Sequence, residues 1–145
     1  MRLFGHPIHP MLVHFPIALW TVAAGAYVAS LVGVTGPFDM IAKFANGGGL
    51  IMAMPAMLAG ALELRTIASQ SVAMRVATWH MMAMATAWFC FLAALVLSIS
   101  TELDHSTARI AAAACAVAGF PLMGLGGWYG GRLVYEHGVA VKDRA

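Results

Sequence analysis

VATWHMMAMATAWFCFLAALVLSIST, residues Val76–Thr101, contains no Asp, Glu, Lys or Arg. About 20 apolar residues in helical rise cross the roughly 30 Å hydrocarbon core of a bilayer, and this run exceeds that length. Arg75 and Glu102 bound it. Working outward, charges delimit three more such blocks: Leu3–Phe38 between Arg2 and Asp39, Phe44–Leu62 between Lys43 and Glu63, and Ile110–Gly131 between Arg109 and Arg132. A segment in lipid must satisfy its own backbone hydrogen bonds, so each block reads as a helix. Strands of a membrane barrel would be shorter and would alternate in polarity. The expected helices run over about 11–34, 44–64, 74–100 and 107–131. Short connections make neighbours antiparallel. The fold class is therefore all-α, a four-transmembrane-helix antiparallel bundle forming one domain over residues 1–145.

Composition agrees. The 145-residue chain is 61% hydrophobic and 10% charged, against about 25% charged in soluble domains. A formal charge of +2, with scattered basic residues, excludes a nucleic-acid surface. The bilayer is the expected partner. The uncharged N-terminal run is too long for a signal-peptide core of about 7–15 residues and reads as a retained first span. Cys90 and Cys115, in apolar runs at different depths, read as small buried hydrophobes rather than a disulfide.

Four crossings sort the basic residues. Arg2, Arg65, Arg75, Arg132, Lys142 and Arg144 fall on one side, Lys43 and Arg109 on the other. The expected location is the cytoplasmic (inner) membrane with both termini in the cytoplasm.

The same weave brings His6, His9, His14, Glu63, His80 and His137 to the cytoplasmic end. His105 alone lies opposite, as a solvated loop residue. Stripes of small residues mark how membrane helices approach one another. His14 continues through Ala18, Thr21, Gly25, Ala29 and Gly33. Glu63 continues Gly49, Met52, Ala56 and Gly60. His80 lies with Ala73, Ala77, Met84, Ala87 and Ala94. Ala112, Ala116, Gly119, Met123, Gly127 and Gly130 point toward His137. On this phase His14, Glu63 and His80 face the interior, where an ionisable group needs a partner.

Three readings compete. Histidine ligates both metal ions and haem iron. His14 and His80, at similar depth, suit axial ligation of haem b in electron transfer, with His137, Arg75 or Arg132 as further ligand or propionate partner. Alternatively His6, His9, His14, Glu63, His80 and His137 supply donors for a Zn, Fe or Cu ion. In the third reading the polar cluster only locks helices, and the bundle serves a larger complex. A redox protein partner and a homo-oligomer are further expectations. No nucleophile or substrate cleft is visible, so no independent catalytic activity is expected. Met52-x-Met54 and Met82-x-Met84 carry thioethers suited to Cu(I), but a period of two places each pair on different faces, which favours core packing. Gly47–Gly49 lacks a P-loop lysine. Pro7 and Pro10 favour an extended prefix, which either aims His6 and His9 over the bundle mouth or leaves them at the headgroups.

The strings GHPIHPMLVHFPIAL (Gly5–Leu19) and GGRLVYEHGVAV (Gly130–Val141), with Gly60-x-x-Glu63 and His80 between them, resemble a bacterial membrane-protein family called domain of unknown function 2231. Arg132 stands where relatives often have Glu, and Glu63 where they usually have Asp. The resemblance implies a four-helix membrane domain. Fusion of some relatives to Rieske-type domains implies electron transfer.

Overall fold

The computed structural model describes residues 2–3, 6–34 and 36–141. Arg2–Leu3 (β1) and His6–Pro7 (β2) form a two-rung antiparallel ladder. Five helices follow: α1 (Ile8–Leu12), α2 (His14–Leu31), α3 (Phe38–Leu64), α4 (Val72–Ser98) and α5 (His105–Tyr135). With α1 and α2 taken as one broken span, four segments are long and apolar enough to cross a membrane. The chain is thus an integral membrane protein with an all-α four-helix transmembrane bundle. α4 runs along α5 and α2 along α3, and α2–α5 and α3–α4 contacts close the ring.

Each boundary has a local cause. Proline removes a backbone donor, and its ring crowds the carbonyl four residues earlier. Pro16 therefore acts on Leu12, the last residue of α1. Hydrogen bonds from Val13 N to His9 O and from Ile17 N to Val13 O carry the helix past the break. Pro10 does not hold His9 extended: both lie inside α1, and only Pro7, its N-cap, is extended. α2 ends at Gly33, whose φ of 77° is available cheaply only to glycine. Gly33 N donates to Ser30 O and Val34 N to Ala29 O, a Schellman closure. The first span therefore stops short of Val34.

The second span starts earlier than expected, at Phe38. The two charges of its first turns do not interrupt it, because Lys43 and Asp39 pair one turn apart at 2.7 Å. Ser71 caps α4 by accepting from Met74 N, and Asp104 caps α5 by accepting from Ser106 N and Thr107 N. These Ser106 and Thr107 hydrogen bonds hold the Asp104 carboxyl far below the usual carboxylate range. Gly130 and Gly131 do not end the last helix, which runs on to Tyr135, with Gly138 (φ 64°) just beyond.

Large residues fill the core through notches left by small ones. Trp20 stacks flat on Phe91 with ring centres 4.8 Å apart. A side chain on Gly49 would come within 2.6 Å of the Trp20 indole, and one on Gly119 within 3.2 Å of the Phe91 ring. The buried faces of α3, α4 and α5 follow the small-residue stripes closely. On α2 the phase differs. Pro16, Trp20, Ala23, Ala24 and Tyr27 are buried, whereas His14, Ala18, Thr21 and Gly25 are exposed. The close approach of α2 and α3 is made by an indole seated on Gly49, so the small residue sits on the partner helix.

Candidate functional site: a histidine pair between two helix carbonyls

His9 projects from α1 onto α3. Its Nδ1 lies 2.7 Å from the Ala56 carbonyl oxygen. A carbonyl can only accept, so Nδ1 carries the proton and donates. His80 does the same from α4 onto α5, with Nδ1 2.7 Å from Gly126 O. Both contacts use one device. Gly60 lies one turn after Ala56, and Gly130 one turn after Gly126. A Cβ on Gly60 would come within 3.0 Å of the His9 ring, and one on Gly130 within 3.2 Å of the His80 ring. Each glycine thus leaves the space in which an imidazole reaches the carbonyl one turn earlier.

The two rings meet inside the bundle, centres 6.1 Å apart and nearly perpendicular at 88°. With both Nδ1 atoms committed to backbone, each neutral ring keeps its lone pair on Nε2. Among the described residues neither Nε2 has a hydrogen-bond partner. Two fixed imidazoles of one tautomer, presented from helices tied to opposite sides of the pair, are equipped to ligate a metal. A second-sphere carbonyl on Nδ1–H both fixes the ring and raises its basicity.

His9, then, stands beside His80 where His14 was expected, and His14 is corrected to an exposed position beside Pro7, Pro10 and Met11. Five residues of α-helix turn a side chain by about 140° relative to the first, so the two cannot share a face. Glu63 is half-buried near the end of α3. Among the described residues no three His, Cys, Asp or Glu side chains gather within reach of one ion, so the six-donor set is not assembled. The His6 side chain lies outside the described residues.

The expected accessory groups are also placed. Arg75 is exposed. Arg132 is engaged: its guanidinium pairs with Glu136 at 2.8 Å and lies 5.1 Å from the centre of the Trp128 ring. That hydrogen bond holds the Glu136 carboxyl below its usual range. His137 is half-buried, and its Nε2 is enclosed with no hydrogen-bond partner. His105 is exposed at the first turn of α5.

A second polar region, toward the opposite membrane face, has no counterpart in the sequence reading. Asn46, the chain's single asparagine, is 0% exposed. Its Nδ2 donates to Phe91 O at 2.9 Å and to the Tyr27 hydroxyl at 3.3 Å. Tyr27 directs its O–H between Ser98 Oγ at 3.3 Å and Ala94 O at 3.5 Å. The network ties α2, α3 and α4 together. Asn46 was legible as a lone amide inside an uncharged block, the kind of residue that must find a partner in a membrane.

No curated protein and no solved structure matches the chain. The match to a family model covers residues 5–143, which takes in the N-terminal proline-histidine string, the Gly60–Glu63 turn, His80 and the C-terminal string with His137. The chain therefore belongs to the family of predicted membrane proteins called domain of unknown function 2231.

Proposed function

We propose that this protein is a membrane-embedded haem b protein acting in electron transfer, in which His9 and His80 would hold the iron. The observation that carries the reading is the matched pair of Nδ1–H donors to helix carbonyls, which leaves two Nε2 lone pairs on rings 6.1 Å apart. Two imidazoles with free Nε2 lone pairs would hold one metal ion between them. The donor count points the same way. A bare zinc site needs three or four protein ligands, and among the described residues no such group exists. A porphyrin supplies four nitrogens itself and asks the chain for two.

When bound, haem supplies one-electron redox chemistry at iron. The chain's own residues do the rest. The Ala56 and Gly126 carbonyls fix the tautomer of the two rings, Gly60 and Gly130 leave room for them, and the apolar helices keep the surroundings at low dielectric. His137, with its enclosed Nε2, and the exposed Arg75 are the remaining candidates for propionate partners. Arg132 is already neutralised by Glu136. Electron exchange requires a redox protein partner. The excess of Lys and Arg at the histidine end supports a cytoplasmic position for that end, which reporter fusions at the C-terminus read directly.

The test is optical. Protein purified from haem-replete cells is expected to show a Soret band that shifts on reduction. A colourless preparation overturns the reading.

A further inference from the structure

The outer face of the first span carries a recess that the histidine pair does not use. Among the described residues its lining is Pro7, Pro10, Met11 and His14, and its volume is about 310 Å³. These residues are related by three- and four-residue separations, so they share one face of the helix. His9 leaves the same helix on another side, toward Ala56 on α3. Met11 and the neighbouring Phe15 are both 53% exposed, so the recess opens sideways into lipid rather than into the bundle. His14 lies six residues into the span that begins at Ile8, about 9 Å along its axis.

That placement sets a chemical problem. An ionisable side chain within a membrane span normally faces the bundle interior or a partner. His14 faces outward, and among the described residues nothing hydrogen-bonds to its ring. Whatever satisfies it must come from the lipid phase. A neutral imidazole offers one N–H and one lone pair. Pro7, Pro10 and Met11 add apolar surface and no charge, so an ionic headgroup has nothing there to pair with. A lipid acyl chain would fill the recess and leave the imidazole unmet. The volume stands near the lower end of small-molecule sites, which run about 300–1,000 Å³, and suits one substituted ring.

We infer that this recess binds the ring of a quinone dissolved in the bilayer. In the oxidised form a quinone carbonyl accepts from the His14 N–H. In the reduced form a hydroxyl donates to the other ring nitrogen. One neutral imidazole thus serves both states, and the two prolines and the Met11 thioether supply the apolar surface for a flat ring. His14 is five residues from His9, about 8 Å along the helix axis, so the carrier docks beside the histidine pair. Its role as electron carrier rests on the haem reading; its binding does not.

Photolabelling with an azidobenzoquinone bearing a short saturated tail, on the purified full chain in lipid nanodiscs, tests the inference. The expected label falls on residues 7–14 and is displaced by an unreactive quinone with the same tail. With one hydrogen bond lost, His14→Leu should need up to about tenfold more probe for half-maximal labelling. His105→Leu, at the opposite membrane face, should leave labelling unchanged. Met11→Trp fills the recess while keeping the imidazole and should remove the label. Absence of label at residues 7–14 overturns the inference. So does equal displacement by a saturated hydrocarbon of matching length, which makes the recess an acyl-chain groove, and so does labelling unaltered in His14→Leu. The optical spectrum of the same sample separates this site from the haem reading. Label on a colourless protein upholds the recess and removes the haem, and a haem-loaded protein without label does the reverse.

Discussion

The two ends of this bundle handle buried polarity in opposite ways. At the histidine end His9 and His80 each bond to the backbone of a neighbouring helix and keep one nitrogen unspent. At the other end Tyr27, Asn46 and Ser98 bond chiefly to one another and to α4, and the indole of Trp20 seals the space beside them. A network whose side chains bond to one another across three helices clamps those helices. A pair of fixed rings with free lone pairs is, in the proposed reading, prepared for a ligand. The difference teaches that burial alone does not mark a candidate site in a membrane protein; two imidazoles of one tautomer brought together from different helices do so here.

The comparison breaks if the histidine end behaves as a mere clamp. His80→Ala and His9→Ala are each expected to abolish bound haem, read from the Soret absorbance per protein, while His14→Ala retains it. Equal retention in all three variants would reduce the pair to a structural contact. A subtler change sharpens the point. Gly60→Ala and Gly130→Ala each put a methyl within 3.0–3.2 Å of an imidazole. Both are expected to weaken haem retention during purification while the protein still folds, because the ring must shift from its carbonyl.

At the opposite end the expected signature is stability without any change in cofactor. Gly49→Ala drives a methyl to 2.6 Å from the Trp20 indole. Overpacking of this kind costs about 1–3 kcal/mol and should lower the Tm in detergent at unchanged haem content. Asn46→Leu removes the bond that ties α3 to Phe91 O. Interhelical hydrogen bonds in membranes average about 0.6 kcal/mol and reach about 1.7, so its effect on Tm should be smaller than that of Gly49→Ala. The smallest effect belongs to Asp104, outside the lipid. Its carboxyl is held below its unfolded value, so its contribution is present above about pH 4 and fades as pH falls further toward its folded pKa. Asp104→Ala should flatten that acid limb of the Tm profile and leave the neutral-pH spectrum untouched.

Much of the fold was legible because lipid leaves few solutions. Charges at Arg2, Lys43, Arg75 and Arg109 punctuate apolar runs of spanning length, and a segment in hydrocarbon must be helical. The site was legible only in part. The histidines were recognisable as a group, and His80 lies on the face its stripe assigned. The position of His9 is open in the sequence because the proline after it favours extended backbone, whereas α1 accommodates Pro10 within its first turn. His14 was favoured by a stripe of small residues that faces outward. Asn46 carries no charge and belongs to no stripe, so only the packed helices reveal its partners.

By itself, then, the sequence determined what the solvent is, how many times the chain crosses it, and which end gathers the imidazoles. These follow from transfer free energy and backbone hydrogen bonding, which depend on residue type and run length alone. Only the tertiary structure decided which histidine meets His80, because that turns on a helix break at Pro16 and on two glycines, Gly60 and Gly130, whose missing side chains matter only once another helix is laid against them.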